Sequence, residues 1–234
     1  MKFIEFKTET GKNNMQIDSD LLDSAIENQT KEPIFRLYAW SPACVSLGRN
    51  QTDDFLDKDF LRMNNIDIVR RLTGGRALLH DKELTYCYIC PVESLRNGGS
   101  VVNSYKEISQ ILIDGFEKLG INLEFPENKL HRERPCDTET SSARRNEKLR
   151  LKNRYCMSIS TGADLSFNGK KLIGSAQLRK EGYILQHGSI LFDYDKKLIE
   201  KIFDEQVDEN ALTCLKQINP KLDYDTVKCI FTPY

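Results

Sequence analysis

The chain has 234 residues, of which 39% are hydrophobic, 29% charged and 9% aromatic, which is enough to bury one large core or two small ones. Its 34 lysines and arginines nearly balance its 35 aspartates and glutamates, and this balance argues against a dedicated nucleic-acid-binding protein. No run approaches the ~18 apolar residues of a membrane span and the N-terminus is polar, so we expect a cytoplasmic protein without a signal peptide.

Alternating apolar and polar residues predict a strand at 2–7, and further strands are predicted at 34–40, 43–47, 66–70, 77–79 and 84–90. Apolar residues spaced three and four apart predict helices at 15–26, 53–63 and 102–119. Asp53 has the side chain of an N-cap for the second helix, and Gly120 is expected to end the third.

The second half begins with a predicted strand at 121–125 and then changes character. Residues 126–154 contain nine lysines and arginines and few apolar residues, which predicts a basic surface insertion in the form of a long loop. The Asn168-Gly169 pair between apolar runs predicts a hairpin that joins 163–167 to 171–178 through a two-residue turn. A strand at 183–192 and helices at 196–203 and 209–218 follow.

Most of these strands follow one another through short turns, which favours an α+β fold with a largely antiparallel or mixed sheet flanked by helices. The regular alternation of strand and helix that a doubly wound nucleotide-binding fold requires is not seen. We predict a single domain over residues 1–234 that carries the insertion at 126–154.

The cysteines predict no metal site. Seven of them are spread along a chain without a secretory signal, which indicates free thiols in a reducing compartment. Cys87 and Cys90 form a C-x-x-C motif, but residues three apart on a strand point to opposite faces, and no second C-x-x-C is present to complete a zinc site.

The segment 70–81 is the first candidate for chemistry. Gly74 and Gly75 allow the backbone to approach a ligand closely and to direct N–H groups at an anion. Arg70, Arg71 and His80 add positive charge and a titratable ring. The alternative interpretation is a hairpin turn with solvated arginines.

Two later segments also hold candidate residues. Lys171 enters an apolar strand, where desolvation would allow it to move protons or stabilise charge, although an ordinary turn lysine is the alternative. The small residues Gly174, Ser175 and Ala176 follow it and suit backbone contact with a ligand. His187 precedes Gly188 in mid-strand, which indicates a close approach by another group, a buried core histidine being the alternative.

These segments resemble the catalytic domain of the biotin/lipoate protein ligase and octanoyltransferase family. Four motifs occur in the family's order and spacing, at 46–51, 70–81, 169–177 and 185–190, and the resemblance extends over about residues 30–195. It implies an α+β fold and transfer of an acyl group to one lysine of a carrier domain.

The resemblance leaves two reactions open. Lipoate ligases activate a free acid with ATP, whereas octanoyltransferases take the chain from acyl carrier protein without ATP. In the cysteine-dependent transferases the thiol precedes the motif lysine by fifteen residues, as Cys156 precedes Lys171 here. The run that begins at Gly75 also resembles the transferases, whereas residues 48–50 resemble the ligases and Met157-Ser158 depart from the transferase pattern.

The resemblance implies that Cys156 is the nucleophile and Lys171 the acid/base. The residues it implies for substrate binding are Arg70, Arg71, Gly74, Gly75, His80, Gly174, Ser175, Ala176, His187 and Gly188. The implied donor is octanoyl-acyl carrier protein, and the implied acceptor is a lipoyl domain such as that of the glycine cleavage H protein or a dehydrogenase E2. No cofactor is implied, since only a ligase needs ATP and Mg²⁺.

Three alternatives stay open. The first is an ATP-dependent lipoate ligase without an accessory domain, for which no room is expected after residue 195. The second is an amidotransferase that moves octanoyl between carrier domains, and the third is a carrier-binding protein without turnover. Biotin ligation is disfavoured because the Gly-Arg-Gly-Arg loop is missing. The insertion at 126–154 either docks the acidic surface of acyl carrier protein or is a solvated loop.

The hairpin sets a geometric requirement for this chemistry. Its turn pairs Lys171 with Ser166, whereas Cys156 lies ten residues before Ser166, about 33 Å away along a straight strand. We therefore expect residues 156–162 to fold back as a loop that brings the Cys156 sulfur within about 6 Å of the Lys171 nitrogen.

Overall fold

The structure is a computed structural model that describes residues 1–126, 154–158 and 164–231. The predicted basic insertion at 126–154 lies outside the described residues apart from its two ends, so its form and role stay predictions.

Nine strands within the described residues form two sheets. In chain order they are β1 (Lys2–Glu9), β2 (Ile34–Trp40), β3 (Cys44–Leu47), β4 (Asp67–Arg70), β5 (Leu78–His80), β6 (Glu83–Pro91), β7 (Leu165–Phe167), β8 (Lys170–Lys180) and β9 (Tyr183–Leu191). The larger sheet has the order β1-β2-β6-β9-β8-β7, with β1 parallel to β2 and the other neighbours antiparallel. The smaller sheet has the order β4-β3-β5, with β3 parallel to β4 and antiparallel to β5. The predicted α+β class with a mixed sheet is confirmed.

Six α-helices accompany the sheets in the described part of the chain. They are α1 (Gly11–Glu27), α2 (Lys58–Met63), α3 (Val101–Glu117), α4 (Lys196–Phe203), α5 (Leu215–Ile218) and α6 (Tyr224–Cys229). A Thr, Ser or Asp side chain accepts a backbone hydrogen bond from three residues ahead at the start of α1, α2, α3, α4 and α6, which fixes where each begins. None of the helices described is long and apolar enough to cross a membrane.

Two buried apolar clusters lie on opposite faces of the larger sheet, and β6 contributes to both. Cys87 belongs to the smaller cluster, which packs α1 against the sheet, whereas Cys90 belongs to the larger one, which includes Leu112 and Phe116 of α3. The two thiols therefore point to different faces, as predicted from strand alternation. The six cysteines in the described residues are all free.

The predicted hairpin is confirmed. Asn168 and Gly169 have φ values of 50° and 74°, the left-handed conformation that a type I′ turn needs at both central positions. Ser166 pairs with Lys171 across β7 and β8. A strong local turn signal thus sets the register that positions the candidate lysine.

Three element predictions were wrong. Helix α2 starts at Lys58 rather than in the 53–57 segment, because Asp57 is the N-cap and Asp53 forms an ion pair with Lys58 instead. Residues 121–125 form no strand, and Glu124 makes only an isolated bridge to Ser166. Within 209–218 only Leu215–Ile218 is α-helical, because backbone groups of residues 211 and 213 pair with those of Lys171.

Candidate active site

A cavity of about 880 Å³, lined by residues of both sheets, collects the candidate residues. We call it the site cavity, and its volume falls in the range of pockets that hold small ligands. Its lining includes every predicted site residue except Arg70: Arg71, Gly74, Gly75, His80, Cys156, Lys171, Gly174, Ser175, Ala176, His187 and Gly188.

Arg70 is placed elsewhere. Its guanidinium donates hydrogen bonds to the carbonyl oxygens of Gly48 (2.9 Å) and Gln51 (2.6 Å), so it holds the 48–51 loop. Arg70 does not line the site cavity, and its implied contact with substrate stays a prediction.

Lys171 is buried at the start of β8 and is not an ordinary turn lysine. Its ammonium group lies 2.9 Å from the carboxylate of Asp164, and both side chains are at most 2% exposed. Its backbone N–H and C=O pair with residues 211 and 213, which anchors the strand on its other edge. Burial of a lysine requires such a counter-charge, because an unpaired ammonium in the interior is strongly disfavoured.

Asp164 was missed by the sequence analysis, although a signal for it exists. The predicted hairpin already paired Lys171 with Ser166, and Asp164 lies two residues before Ser166 on the same strand run. Regular alternation over the predicted strand would place Asp164 on the same face as Ser166 and so near Lys171, although the actual register shifts between Leu165 and Ser166.

Cys156 lies directly against Lys171. It opens a one-turn 3₁₀ helix (Cys156–Ser158), its backbone N–H donates to Ala77 O (2.8 Å), and its carbonyl accepts a hydrogen bond from Lys171 Nζ (3.0 Å). The chain therefore turns at Cys156 instead of running on as a straight strand. Part of the predicted loop, 159–162, lies outside the described residues, and the sulfur-to-nitrogen separation stays a prediction.

The Gly74-Gly75 loop is held at the wall of the site cavity by Arg71. Gly75 has a φ of 100°, which favours glycine, and a Cβ added at Gly48 would lie 2.0 Å from Gly75 O. The buried guanidinium of Arg71 donates to Gly74 O (3.2 Å) and Arg76 O (2.8 Å). The loop is therefore packed tightly against Gly48 and held by hydrogen bonds from Arg71.

His80 lines the site cavity and lies within a buried hydrogen-bond chain. Its Nε2 lies 2.6 Å from Ser46 Oγ and its Nδ1 lies 2.7 Å from Glu83 Oε1. The ring also stacks on Trp40 with centroids 3.9 Å apart. These contacts fix the ring, so it can present only one orientation to a ligand.

His187 is buried in a second network. Its Nε2 lies 2.7 Å from Thr73 Oγ1, and its Nδ1 lies 3.5 Å from Asp18 Oδ2. Burial lowers the pKa of His187, although the nearby Asp18 carboxylate works in the opposite direction. The neighbouring Gly188 is explained by close packing, since a Cβ there would lie 2.6 Å from Gly174 O on the adjacent strand.

No group of three or more His, Cys, Asp or Glu side chains in the described ranges is arranged to hold a metal ion. The site cavity brings together a thiol, a buried ammonium–carboxylate pair and a glycine loop. A thiol and a buried ammonium are groups of the kind that acyl-transferring catalytic domains use.

The comparisons with known proteins specify the family. A sequence model described as the lipoyl protein ligase A/B catalytic domain matches residues 10–232. Octanoyltransferase LipM of Clostridioides difficile is 38% identical over 205 residues, which cover 86% of this chain and 68% of that protein. Octanoyltransferase LipM of an Exiguobacterium species is 36% identical over 219 residues, covering 92% of this chain and 74% of that protein.

The solved structures agree on the fold. A crystal structure of lipoate-protein ligase A bound with ATP superposes with a TM-score of 0.72, over 98% of this chain and 81% of that one, at 18% identity. The chain belongs to the lipoyl protein ligase A/B catalytic domain family and is an acyltransferase. The predicted family resemblance is thereby confirmed.

Proposed function

We propose that the chain is a cysteine-dependent octanoyltransferase, which moves an octanoyl group from acyl carrier protein to a lysine of a lipoyl domain. The observation that carries the proposal is the contact of Cys156 with Lys171 in the wall of the site cavity, where the Lys171 ammonium lies 3.0 Å from the Cys156 carbonyl. The names of the relatives, at 36–38% identity, support the octanoyl group as cargo.

In the first step the Cys156 thiolate attacks the thioester carbonyl of the octanoyl donor. The new bond from sulfur to the acyl carbon forms, the bond to the carrier thiol breaks, and the departing thiolate takes up a proton. Two thioesters of similar energy are exchanged, so this step needs no ATP. Lys171, paired with Asp164, is the group positioned to hand over the proton.

In the second step the amine of the acceptor lysine attacks the acyl-enzyme. An amide bond forms, the bond to the Cys156 sulfur breaks, and the proton that the amine loses passes to Lys171, which gave up its own in the first step, so that the thiolate and the ammonium are both regenerated. Because an amide is more stable than a thioester, the reaction runs forward without a cofactor. The apolar part of the cavity lining, which includes Trp40 and Leu78, provides a surface for the eight-carbon chain.

Mass spectrometry of the protein incubated with octanoyl-acyl carrier protein tests the proposal. We expect one octanoyl group on Cys156, its loss in the Cys156→Ala variant, and its persistence in Cys229→Ala, which removes an exposed thiol far along the chain. Addition of a lipoyl domain should then discharge the adduct to the acceptor lysine. ATP-dependent lipoylation that survives Cys156→Ala would overturn the proposal in favour of a ligase.

A further inference from the structure

We infer that Arg71 is a positioning residue for the nucleophile, supplying the buried positive charge that keeps Cys156 in its thiolate form. The inference rests on the proposed function, because it concerns the thiol that carries the acyl group there. It separates two roles that a single lysine would otherwise fill, charge stabilisation and proton transfer.

The backbone connects Arg71 to Cys156 through two consecutive residues. The Arg71 guanidinium donates to Arg76 O (2.8 Å), and the next carbonyl, Ala77 O, accepts the backbone N–H of Cys156 (2.8 Å). Ala77 also pairs with Tyr155 in a parallel bridge. Both Arg71 and Cys156 line the site cavity, so the cation and the thiol border the same cavity and are joined through adjacent backbone carbonyls.

The charge of Lys171 is largely cancelled at its own site. Its ammonium and the Asp164 carboxylate are 2.9 Å apart and both are buried, so the pair presents little net charge to its surroundings. A thiolate beside this pair meets an attractive and a repulsive charge together. The pair is well suited to moving a proton, because proton transfer needs a donor of defined orientation rather than a net field.

The charge of Arg71 is not cancelled in the same way. Its guanidinium binds four neutral acceptors, Ser46 O, Ser46 Oγ, Gly74 O and Arg76 O, at 2.6–3.2 Å. Within the described residues no carboxylate lies within ion-pair distance of it. A buried cation with neutral partners exerts a stronger field on its neighbours than one in water, because the local dielectric is low.

The side chains of Ser46 and His80 lie between Arg71 and the carboxylate of Glu83. Ser46 Oγ accepts a hydrogen bond from Arg71 and lies 2.6 Å from His80 Nε2, and His80 Nδ1 lies 2.7 Å from Glu83 Oε1. Arg71, at one end of this hydrogen-bond chain, lines the site cavity, whereas Glu83, at the other end, does not.

The protonation equilibrium of Arg71 is consistent with this geometry. Burial lowers the pKa of Arg71, and a negative charge at Cys156 raises it again. The arginine side chain is the suitable one for this role, since it keeps its proton when buried.

The test measures how fast iodoacetamide alkylates Cys156 at pH 7, resolved by peptide mass spectrometry, because the thiolate is the reacting form. We expect Arg71→Gln to slow alkylation about tenfold, the change that corresponds to one pKa unit. Arg71→Lys, which keeps the charge, should restore the rate to within about threefold of the parent, whereas Arg62→Gln, at an exposed position on α2, should leave it unchanged. Equal slowing by Gln and Lys, or no slowing, would overturn the inference.

A second variant decides the matter even if Arg71→Gln does not fold. In Lys171→Met/Asp164→Asn the buried pair is replaced by neutral side chains, and we expect the alkylation rate to stay within about threefold of the parent. A tenfold loss would assign the thiolate-stabilising charge to Lys171 and refute the role of Arg71. The measurement uses no acyl donor, so failure of the octanoyl adduct to form in the parent protein is a separate outcome that bears only on the proposed function.

Discussion

The ammonium group of Lys171 and the carboxylate of Asp164, 2.9 Å apart, form an ion pair that is almost completely excluded from solvent. Removing one partner leaves an uncompensated buried charge, which costs about 3–5 kcal/mol. We therefore expect Lys171→Met and Asp164→Asn each to lower the free energy of unfolding by about that amount. The double variant should recover much of the loss, because no unpaired charge remains.

Urea denaturation of the four proteins measures this coupling. The exposed pair of Lys180 and Asp23, with a similar separation of 2.8 Å, is the matched control, and Lys180→Met should change stability far less. Additive losses in the Lys171/Asp164 double variant would show that the two charges do not depend on each other.

Gly48 lies so close to the Gly74-Gly75 loop that adding one methyl group at Gly48 should lower both stability and activity. In Gly48→Ala the new Cβ would lie 2.0 Å from Gly75 O, and backbone cannot yield as a flexible side chain does. We expect a loss of about 1–3 kcal/mol in the free energy of unfolding, together with slower acyl transfer, because the loop that lines the site cavity must move.

Gly99→Ala is the control for this substitution, since a Cβ at Gly99 meets nothing within 4 Å. Denaturation curves and initial acyl-transfer rates of both variants check the prediction. Parent-like values for Gly48→Ala would mean that the loop adapts without cost.

The burial of His187 predicts a pH dependence of stability. Its pKa is lowered in the folded protein below the ordinary value of 6.5, and the Asp18, Arg71 and His80 side chains all influence it. Above pH 6.5 the ring is neutral in both the folded and the unfolded chain, so His187 causes no loss. Below pH 6.5 the unfolded chain binds a proton that the folded protein does not, and stability falls toward the lower folded pKa.

We expect the parent protein to lose up to about 1.4 kcal/mol per pH unit more than His187→Gln between pH 6.5 and 5. Guanidinium denaturation at several pH values gives the comparison, and common carboxylate effects cancel between the two proteins. A steeper loss in His187→Gln would contradict the prediction.

The buried position of Phe231 indicates that the C-terminal part of the described chain contributes to the core. Its ring lies 5.8 Å from that of Phe35 and 5.7 Å from that of Phe116, which joins the end of the chain to β2 and α3. Phe231→Ala should lower the free energy of unfolding by about 3–5 kcal/mol, because it removes a buried ring and leaves a cavity.

Met63→Ala provides the contrast, since Met63 is 76% exposed at the end of α2 and should be replaceable with little effect. Thermal or urea denaturation of both variants tests the pair. Equal stability of Phe231→Ala and the parent would show that the chain end does not pack in solution.

Predictions from the sequence were most accurate where one local signal decides the structure. The Asn168-Gly169 turn, the period-2 pattern of β6 and the alternate faces of Cys87 and Cys90 all follow from neighbouring residues. They failed where backbone groups find distant partners: the apolar spacing at 209–218 indicated a helix, but residues 211 and 213 pair with Lys171 instead.

By itself the sequence determined the α+β class, the family and many of the residues that line the site cavity, because motifs, turn chemistry and hydrophobic period are visible along the chain. The tertiary structure alone decided which charge faces which group. It directed Arg70 to the 48–51 loop and Arg71 to the cavity wall, and it buried Lys171 against Asp164. The sequence does not distinguish the two adjacent arginines. Only the packing of strands distant in sequence buries Arg71 and leaves Arg70 at the surface.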